Sequence, residues 1–301
     1  MTAQPAAADE TPSGQAALPP AVPLIQAAAR VYRRVAVIRA HRSAACEWSG
    51  LRVLCYHRIA DEREVLSVSP AGFRRQLEYA LGSGAKAVRL ADAVADGTVE
   101  RGGRFFAVTF DDGYQDTLTA ALPVLQELAV PATVYLPTAI IGGTARLTWY
   151  RTQPPMLDWA GVAELCADGT VDAGAHSRTH PALPRVDDQA ARAEIEGSRA
   201  ELAAMLGAPP TSFCYPAGLY GERERRLVDE AGFTTAVTVR CGVNTAATDP
   251  LALARTIVYG EDSLATFAAR FDGKLDEQTR LRTFVLDRSR SRARFSRFRK
   301  P

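Results

Sequence analysis

The sequence predicts an α/β fold in which parallel strands alternate with helices around one large core. From residue 51 onward, short apolar runs alternate with amphipathic segments of helical spacing. Right-handed crossovers join successive parallel strands, and the result is an open α/β sheet or a barrel. The length of 301 residues fits a single α/β barrel.

The expected strands are short apolar runs with polar or turn-forming residues at their ends. They are residues 51–56, 105–110, 132–136, 171–175, 234–239 and 255–258. The first expected helix is capped by Ser69, has Pro70 at its first position, places Phe73 and Leu77 on one face and ends at Gly82. The other expected helices are residues 115–129, 158–167, 187–206, 222–231 and 263–271.

Charge divides the chain into an acidic middle and two basic ends. The chain has 36 Lys plus Arg against 34 Asp plus Glu. Residues 276–301 are expected to be an Arg-rich tail, because eight Arg and one Lys face one acid from residue 280 onward. Residues 24–50 are expected to form a basic amphipathic helical segment, with five Arg and no acid up to residue 42. Residues 1–23 have almost no large apolar side chains and are expected to be disordered, which leaves 51–275 as the catalytic domain.

Cysteine usage and the N-terminal sequence favour a cytoplasmic protein. The five cysteines form no CxxC motif, as in a reduced compartment. The uncharged stretch 16–29 contains three prolines and carries its positive charge after it, whereas a secretion signal carries positive charge before its apolar region. No run reaches the roughly 18 apolar residues of a membrane span. The basic ends could still hold the protein at anionic membrane lipid.

Two adjacent carboxylates end the second expected strand. Residues 105–110 lead directly into Asp111, Asp112 and Gly113. In a parallel barrel the carboxyl ends of the strands form the active face, so this position favours chemistry. Taken alone, the same residues also fit a plain turn in which Asp112 caps the next helix.

Two histidines follow another strand end in the same way. His176 and His180 come directly after residues 171–175 and are four residues apart. With an Asp carboxylate they could form a site of two imidazoles and one carboxylate that leaves positions open for water and substrate. The alternative is a pair of surface histidines in a loop. The chain has only four histidines, and two of them lie at a strand end that matches the Asp111–Asp112 strand end.

Three successive motifs resemble those of the polysaccharide deacetylases, the NodB-homology enzymes of carbohydrate esterase family four. They are T-F-D-D-G at 109–113, H-S-R-T-H at 176–180 and F-C-Y-P-A-G at 213–218, and the resemblance runs from about residue 51 to residue 259. It implies a distorted (β/α)7 barrel and metal-dependent removal of N- or O-linked acetyl groups from sugars. It also implies that Asp112, His176 and His180 bind the metal and that Asp111 is the general base.

The resemblance also suggests the remaining catalytic groups. It places an oxyanion-binding backbone N–H in the turn Tyr215-Pro216-Ala217, at Ala217, where many relatives have an aromatic residue. An Arg that is often found at the start of this motif is replaced by Phe213.

In many relatives a histidine near the end of the domain is the general acid that protonates the leaving amine. No histidine follows His180 in this sequence. A Tyr-His element at 56–57 is similar to that of the branch that includes the biofilm poly-N-acetylglucosamine deacetylases, where the histidine is the acid. His57 is therefore the expected general acid, on the side of the metal away from Asp111; the alternative is a buried histidine with a backbone partner. Arg255 could pair with Asp111 or form a salt bridge elsewhere. The loop 137–155 carries Trp149 and Tyr150, which could stack on sugar rings or pack on the core.

These observations predict a metal-dependent carbohydrate N-deacetylase. The expected ion is zinc, with cobalt, nickel or iron as alternatives for this ligand set. The substrate could be a polymer, a lipid-linked sugar or a small glycoside. The alternatives are an O-acetyl esterase or non-sugar amidase on the same scaffold and a non-catalytic carbohydrate-binding relative. Nucleic-acid binding through the tail is disfavoured because the tail has no base-reading element.

Overall fold

The computed structural model describes residues 48–62, 64–99, 102–147, 153–277 and 279. The strands in these residues are β1 (Gly50–Tyr56), β2 (Arg58–Ile59), β3 (Ser67–Val68), β4 (Lys86–Ala87), β5 (Arg104–Phe110), β6 (Ala132–Leu136), β7 (Val171–Ala175), β8 (Ser212–Cys214), β9 (Thr235–Val237) and β10 (Arg255–Ile257). The α-helices are α1 (Pro70–Gly82), α2 (Leu90–Ala95), α3 (Leu122–Glu127), α4 (Thr138–Ile141), α5 (Trp159–Cys166), α6 (Asp188–Leu206), α7 (Glu222–Glu230) and α8 (Leu264–Phe271).

The main sheet is parallel and nearly closes into a barrel. Its strand order is β10-β1-β5-β6-β7-β8-β9, and β4 pairs with β5 beside this path. At the seam, the Thr238 N–H donates to the Leu253 carbonyl at 2.9 Å, and the Leu253 N–H donates to the Ala236 carbonyl at 2.8 Å. These bonds join β9 to the segment just before β10. The predicted (β/α) barrel class is therefore confirmed, with α-helices packed around the outside.

The six strands expected from the sequence are present with end shifts of up to two residues. The sequence did not predict β8, which has three residues and precedes Pro216, or the two-residue strands β2, β3 and β4. Helix α1 begins as expected, because the Ser69 hydroxyl accepts a hydrogen bond from the Gly72 N–H.

The prediction of one α-helix over residues 115–129 is wrong. Residues Thr117–Ala121 form a π-helical turn and only Leu122–Glu127 are α-helical. Pro123 has no N–H to donate within an α-helix, so the backbone pattern changes just before it. The short helices α2 and α4 were also missed, because four to six residues are too few to show a helical period.

Side chains of the barrel strands alternate between an outer core under the helices and the barrel interior. The outer core includes Leu54, Tyr56, Phe106, Val108 and Phe110, all fully buried. The interior is filled by a second apolar cluster, which includes Leu51, Val53, Ala107, Tyr135, Cys214 and Val237. This interior leads to the carboxyl ends of β5, β7 and β8, where the predicted site residues follow.

The described residues next to the two basic ends lie together at the opposite edge of the barrel. The Trp48 ring packs edge-on against Phe271 with centroids 5.6 Å apart. The guanidinium of Arg52, fully buried on β1, donates to both carboxylate oxygens of Asp276, at 3.1 and 2.9 Å. Arg104, the first residue of β5, pairs with Asp272 at 3.2 Å. The start of β1 and the segment after α8 are thus joined at the amino-terminal edge of the strands.

Several predictions fall on residues outside the described ranges. These are the disordered segment 1–23, the basic helical segment up to residue 47, nearly all of the Arg-rich tail, and the loop aromatics Trp149 and Tyr150. Gly50, at the end of the expected basic segment, belongs to β1. Within the described ranges, none of the helices has the length and apolar character needed to cross a membrane.

Candidate active site

The structure brings Asp112, His176 and His180 together at the carboxyl edge of the barrel. Asp112 follows β5, and the two histidines follow β7. The Asp112 Oδ1 atom lies 3.6 Å from His176 Nε2 and 3.7 Å from His180 Nε2. Donor atoms at about 2.1 Å from one ion with tetrahedral angles are separated by roughly 3.4 Å. The three residues could therefore hold a divalent metal with little movement.

Both histidines are prepared to act as neutral ligands. The Nδ1 atom of His176 lies 2.8 Å from the Cys214 carbonyl, a contact that requires a proton on Nδ1 and leaves the Nε2 lone pair facing Asp112. Burial lowers the pKa of His176 to about 3 and also lowers the pKa of His180. Neither imidazole needs to lose a proton near neutral pH before it can bind a cation.

Backbone conformation at the site is unusual for the residues that adopt it. Asp112, Ser177 and His180 have φ values of 73°, 60° and 59°, in the left-handed region that favours glycine. Each such residue costs on the order of 1–3 kcal/mol and persists only when its surroundings enforce it. Gly113 has a φ of 73°, where a side chain would be strained, and a Cβ atom there would have to displace Ile141 Cδ1, which lies 2.6 Å from its position. The turn after β5 is therefore fixed by tight packing against α4.

The second oxygen of Asp112 is occupied by Tyr114. The Tyr114 hydroxyl donates to Asp112 Oδ2 at 3.1 Å, and the tyrosine is almost fully buried. This bond leaves Oδ1 directed at the two histidines. Burial raises the pKa of Asp112 to about 6, and the neighbouring charge of Asp111 acts in the same direction. A cation at this position would offset the cost of the buried carboxylate.

Asp111 is held by Arg255, which is fully buried in the barrel interior. The two terminal nitrogens of Arg255 donate to Asp111 Oδ1 at 2.6 Å and to Oδ2 at 2.7 Å. Burial would raise the pKa of Asp111, but the charge of Arg255 and these two bonds outweigh it and keep the pKa well below its usual range. Asp111 is thus ionised and oriented beside the three possible ligands.

Two thiols complete the surroundings of Asp111. Cys55 Sγ and Cys214 Sγ each lie 3.6 Å from Asp111 Oδ2, and Arg255 donates to Cys214 Sγ at 3.1 Å. Burial raises the pKa of both thiols, so they are neutral weak donors.

Phe213 does not stand where an arginine could reach Asp111. Its side chain packs in the outer core, against the rings of Tyr215 and Phe233. The side chain of the motif that faces Asp111 belongs to the next residue, Cys214. The guanidinium that holds Asp111 comes from Arg255 on β10.

His57 lies beside Asp111. Its imidazole, the Cys55 thiol and an Asp111 carboxylate oxygen have donor atoms within 4.8 Å of one another. The expectation that His57 stands on the side away from Asp111 is therefore wrong. The Nδ1 atom is buried and has no hydrogen-bond partner among the described residues, and the His57 side chain is only partly buried. An unpartnered buried nitrogen at a partly open position fits a group that bonds to a ligand.

The turn after β8 contributes backbone rather than side chains. Tyr215 is fully buried, donates its hydroxyl proton to the Leu251 carbonyl at 3.0 Å and stacks on Tyr220. Pro216 is buried as well, whereas Ala217 is exposed with φ of 54°. The sequence placed Tyr215 and Pro216 in a substrate-binding turn; their side chains belong to the core, and only the turn's backbone can serve a ligand.

Sequence reasoning missed three residues that shape the site. Tyr114 is part of the T-F-D-D-G-Y stretch, so its position next to Asp112 was a usable signal. Cys55 shares the inward face of β1 with Leu51 and Val53, and alternation could have placed it inside the barrel. Cys214 offered no such signal, because β8 is too short to show a period.

Comparison with known proteins agrees with this geometry. The family model described as polysaccharide deacetylase matches residues 98–236. YxkH of Bacillus subtilis (strain 168), named as a polysaccharide deacetylase, is 27% identical over 135 residues, which are 45% of this chain and 44% of YxkH. This chain therefore aligns with less than half of that relative's length.

Two solved structures have the same fold. IcaB from Ammonifex degensii is 26% identical with a TM-score of 0.64, over 75% of this chain and 98% of IcaB. The Streptococcus pyogenes deacetylase PplD, solved in complex with acetate, is 19% identical with a TM-score of 0.63, over 74% of this chain and 98% of PplD. The family match over residues 98–236, the NodB-type barrel and the residues gathered at its carboxyl edge agree: this part of the chain is similar to the polysaccharide deacetylases.

Proposed function

We propose that this protein is a metal-dependent deacetylase that removes N-acetyl groups from an amino sugar in a carbohydrate or glycoconjugate. One observation carries the proposal: Asp112, His176 and His180 meet at donor distances suited to one ion, beside an ionised Asp111. Zinc is the proposed ion, because two imidazoles and one carboxylate leave a coordination position open for water.

The chemistry of an N-acetyl group accounts for the residue types. An unactivated amide needs a nucleophile stronger than water, and its amine must be protonated to leave. A divalent metal held by Asp112, His176 and His180 would lower the pKa of a bound water and polarise the acyl oxygen. The protein must then supply a base, an acid and a donor for the oxyanion.

Asp111 is the proposed general base. It lies next to Asp112 in sequence, and its carboxylate is kept ionised by Arg255. Arg255 is a positioning residue in this proposal, because its guanidinium fixes the plane of the carboxylate while one oxygen accepts a proton from the attacking water. The two neutral thiols favour the same ionised form through weak hydrogen bonds.

His57 is the proposed general acid, and the backbone N–H of Ala217 is the proposed oxyanion donor. The partly open position of His57 and its unpartnered Nδ1 support the first role. The exposed position of Ala217 in a left-handed turn supports the second, because its backbone is accessible to a ligand there. A proton donor of this kind favours an amide substrate over an acetyl ester, whose leaving group needs little protonation.

Two measurements on one preparation test this proposal. Purified protein is analysed for bound metal and then assayed for acetate release from a panel of N-acetylated and O-acetylated sugars. We expect about one zinc per chain, acetate release from at least one N-acetylated sugar, and loss of activity on chelation that zinc restores. Full activity in metal-stripped protein would contradict the mechanism. Release from O-acetylated sugars alone would establish the esterase alternative instead.

The basic ends are proposed to hold the enzyme near an anionic surface. Basic residues close to anionic lipid contribute about 1 kcal/mol each. The proposed catalytic residues all lie outside residues 24–42 and 280–301. Attachment and catalysis are therefore expected to be separable.

A further inference from the structure

The turn that connects the two site histidines is bound by Glu194, a residue of α6 that the sequence did not single out. The Glu194 Oε2 atom accepts hydrogen bonds from the backbone N–H groups of Arg178 and Thr179, both at 2.8 Å. Its Oε1 atom accepts one from the Thr179 hydroxyl at 2.6 Å. A single carboxylate thus satisfies three donors of the segment between His176 and His180.

The opposite side of this turn is bound by α4. The N–H of Thr138 donates to the Ser177 carbonyl at 3.2 Å, and the N–H of Ala139 donates to the Arg178 carbonyl at 2.9 Å. Both donors belong to the first turn of α4, where backbone N–H groups have no partner within the helix. The carbonyls of the turn are therefore held by one helix and its N–H groups by another.

The turn needs such restraint because its conformation is costly. Ser177 and His180 both adopt left-handed φ, and one internal bond, from the His180 N–H to Ser177 Oγ at 3.1 Å, helps to hold it. Without outside partners these two residues would relax toward ordinary φ values, and the His180 ring would turn with its backbone. The distance from His180 Nε2 to Asp112 Oδ1 depends on that backbone.

We propose that Glu194 is a positioning residue that sets the His176–His180 turn in its ligand-binding conformation before any metal is bound. The inference rests on the proposed metal site at Asp112, His176 and His180. Glu194 acts through hydrogen-bond geometry: its hydrogen bonds go to the turn backbone and to Thr179. Its charge also acts on His180, whose pKa it raises against the larger effect of burial, and this effect is separated from the hydrogen bonds by the conservative variants. Removing it makes the protein order the turn at the time of metal binding, so the metal affinity falls.

The test is a metal titration of full-length protein stripped of metal. Zn²⁺ affinity is measured against a competing chelator, and the visible spectrum of bound Co²⁺ reports the geometry of the ligands. Loss of an outer partner of a metal ligand typically weakens binding 10–100-fold, and we expect a loss of about that size for Glu194→Ala. The Co²⁺ spectrum of this variant should broaden.

Two conservative variants separate a hydrogen-bond role from a charge effect. Glu194→Gln keeps an oxygen that can accept both backbone N–H groups and an amide that can donate to the Thr179 hydroxyl. Glu194→Asp keeps the charge but is shorter by one methylene and cannot reach all three donors. We expect Gln to bind Zn²⁺ more tightly than Asp. The reverse order would overturn the proposal, and this comparison carries the test if Glu194→Ala does not fold.

Glu201 provides the matched control. It lies on the same helix and contacts the side chains of Arg178, at 2.7 Å, and Thr138, but not the turn's backbone N–H groups. Glu201→Ala should leave the Zn²⁺ affinity within about twofold of wild type, and an equal loss in Glu194→Ala and Glu201→Ala would overturn the role of Glu194. His180→Ala tests the proposed metal site separately from the role of Glu194. Unchanged affinity in that variant would mean that the metal site itself is wrong, whereas loss there with normal binding in Glu194→Ala would refute only this inference.

Discussion

Replacing Arg255 by methionine should destabilise the protein and inactivate Asp111 as the catalytic base. Arg255 is fully buried and makes five polar contacts: with Thr238, Thr109, Cys214 and both oxygens of Asp111. Methionine fills a similar volume but leaves the Asp111 carboxylate buried without a counter-charge. Breaking one side of a buried ion pair costs about 3–5 kcal/mol. For a domain of this size that corresponds to a melting temperature lower by roughly 10 °C.

The stability loss of Arg255→Met should become smaller as the pH is lowered. In the wild type, Arg255 keeps the pKa of Asp111 below its usual range, so the pair stabilises the fold above about pH 4 and this contribution is lost as pH falls further. In Arg255→Met the main group that offsets burial is gone, and the pKa of Asp111 is expected to rise above its unfolded value. The variant's deficit should therefore shrink as pH is lowered from 8 to about 5. The double variant with Asp111→Asn should recover part of the loss.

Stability is measured by urea unfolding of metal-free protein at several pH values. Activity is measured separately, on metal-loaded protein, as acetate release per folded molecule. Arg52→Met is the matched control, because Arg52 is also fully buried and is paired with both oxygens of Asp276, far from the site. It should lose stability of the same order but keep the activity of each folded molecule. A stability loss below about 1 kcal/mol in Arg255→Met would refute this reasoning, since a buried carboxylate without a counter-charge should destabilise the fold by more than that. Equal activity in the two variants would refute the positioning role of Arg255.

Three further outcomes are expected. Asp111→Asn should abolish turnover with metal content near normal, whereas His176→Ala should lose both; elemental analysis checks this, and equal metal loss would mean that the adjacent carboxylates have the opposite roles. His57→Ala should reduce turnover by about 10²–10⁴-fold on an amide and much less on an activated ester; equal losses on both substrates would make His57 structural. Deleting residues 280–301 should leave activity on a small substrate unchanged but release the enzyme from anionic vesicles in a salt-sensitive sedimentation assay. If the full-length chain ignores such vesicles and binds nucleic acid tightly, the attachment proposal fails.

The sequence predicted the barrel well because its longer strands carry strong local signals. Strands β6 and β7 were expected at their observed bounds, since β6 is a fully buried run and β7 is a run of apolar and small residues interrupted only by Asp172. The same local reasoning failed at β8, where the apolar run is too short in the sequence, and at 115–129, where Pro123 interrupts the α-helical pattern. Strands β9 and β10 also have three residues, but at each of them the β-branched run extends beyond the strand in the sequence.

The candidate site divides along the same line. Asp111, Asp112, His176 and His180 follow strands directly, so topology alone brings them to one edge of the sheet. The groups that hold them come from distant positions. Arg255 approaches through the barrel interior, and Glu194 reaches the turn from the middle of α6. The position of His57 relative to Asp111 depends on how β1 and β5 twist, and a one-dimensional pattern contains no such information.

The amino-terminal edge of the barrel determines how far a substrate must extend from a surface to which the protein is attached. At this edge Trp48 contacts Phe271, and Arg52 is paired with Asp276. These residues lie at the amino-terminal edge of the barrel, and the site lies at the carboxyl edge, one strand length away. Seven residues of β1, at about 3.3 Å each, span roughly 23 Å. A protein held at a surface through the segments that adjoin Trp48 and Asp276 would turn its catalytic edge outward. Because barrel strands tilt by about 36°, its acetylated sugar would then have to reach a site roughly 19 Å above that surface. Such an arrangement favours long or freely diffusing glycans over a sugar attached directly to a lipid of the same layer.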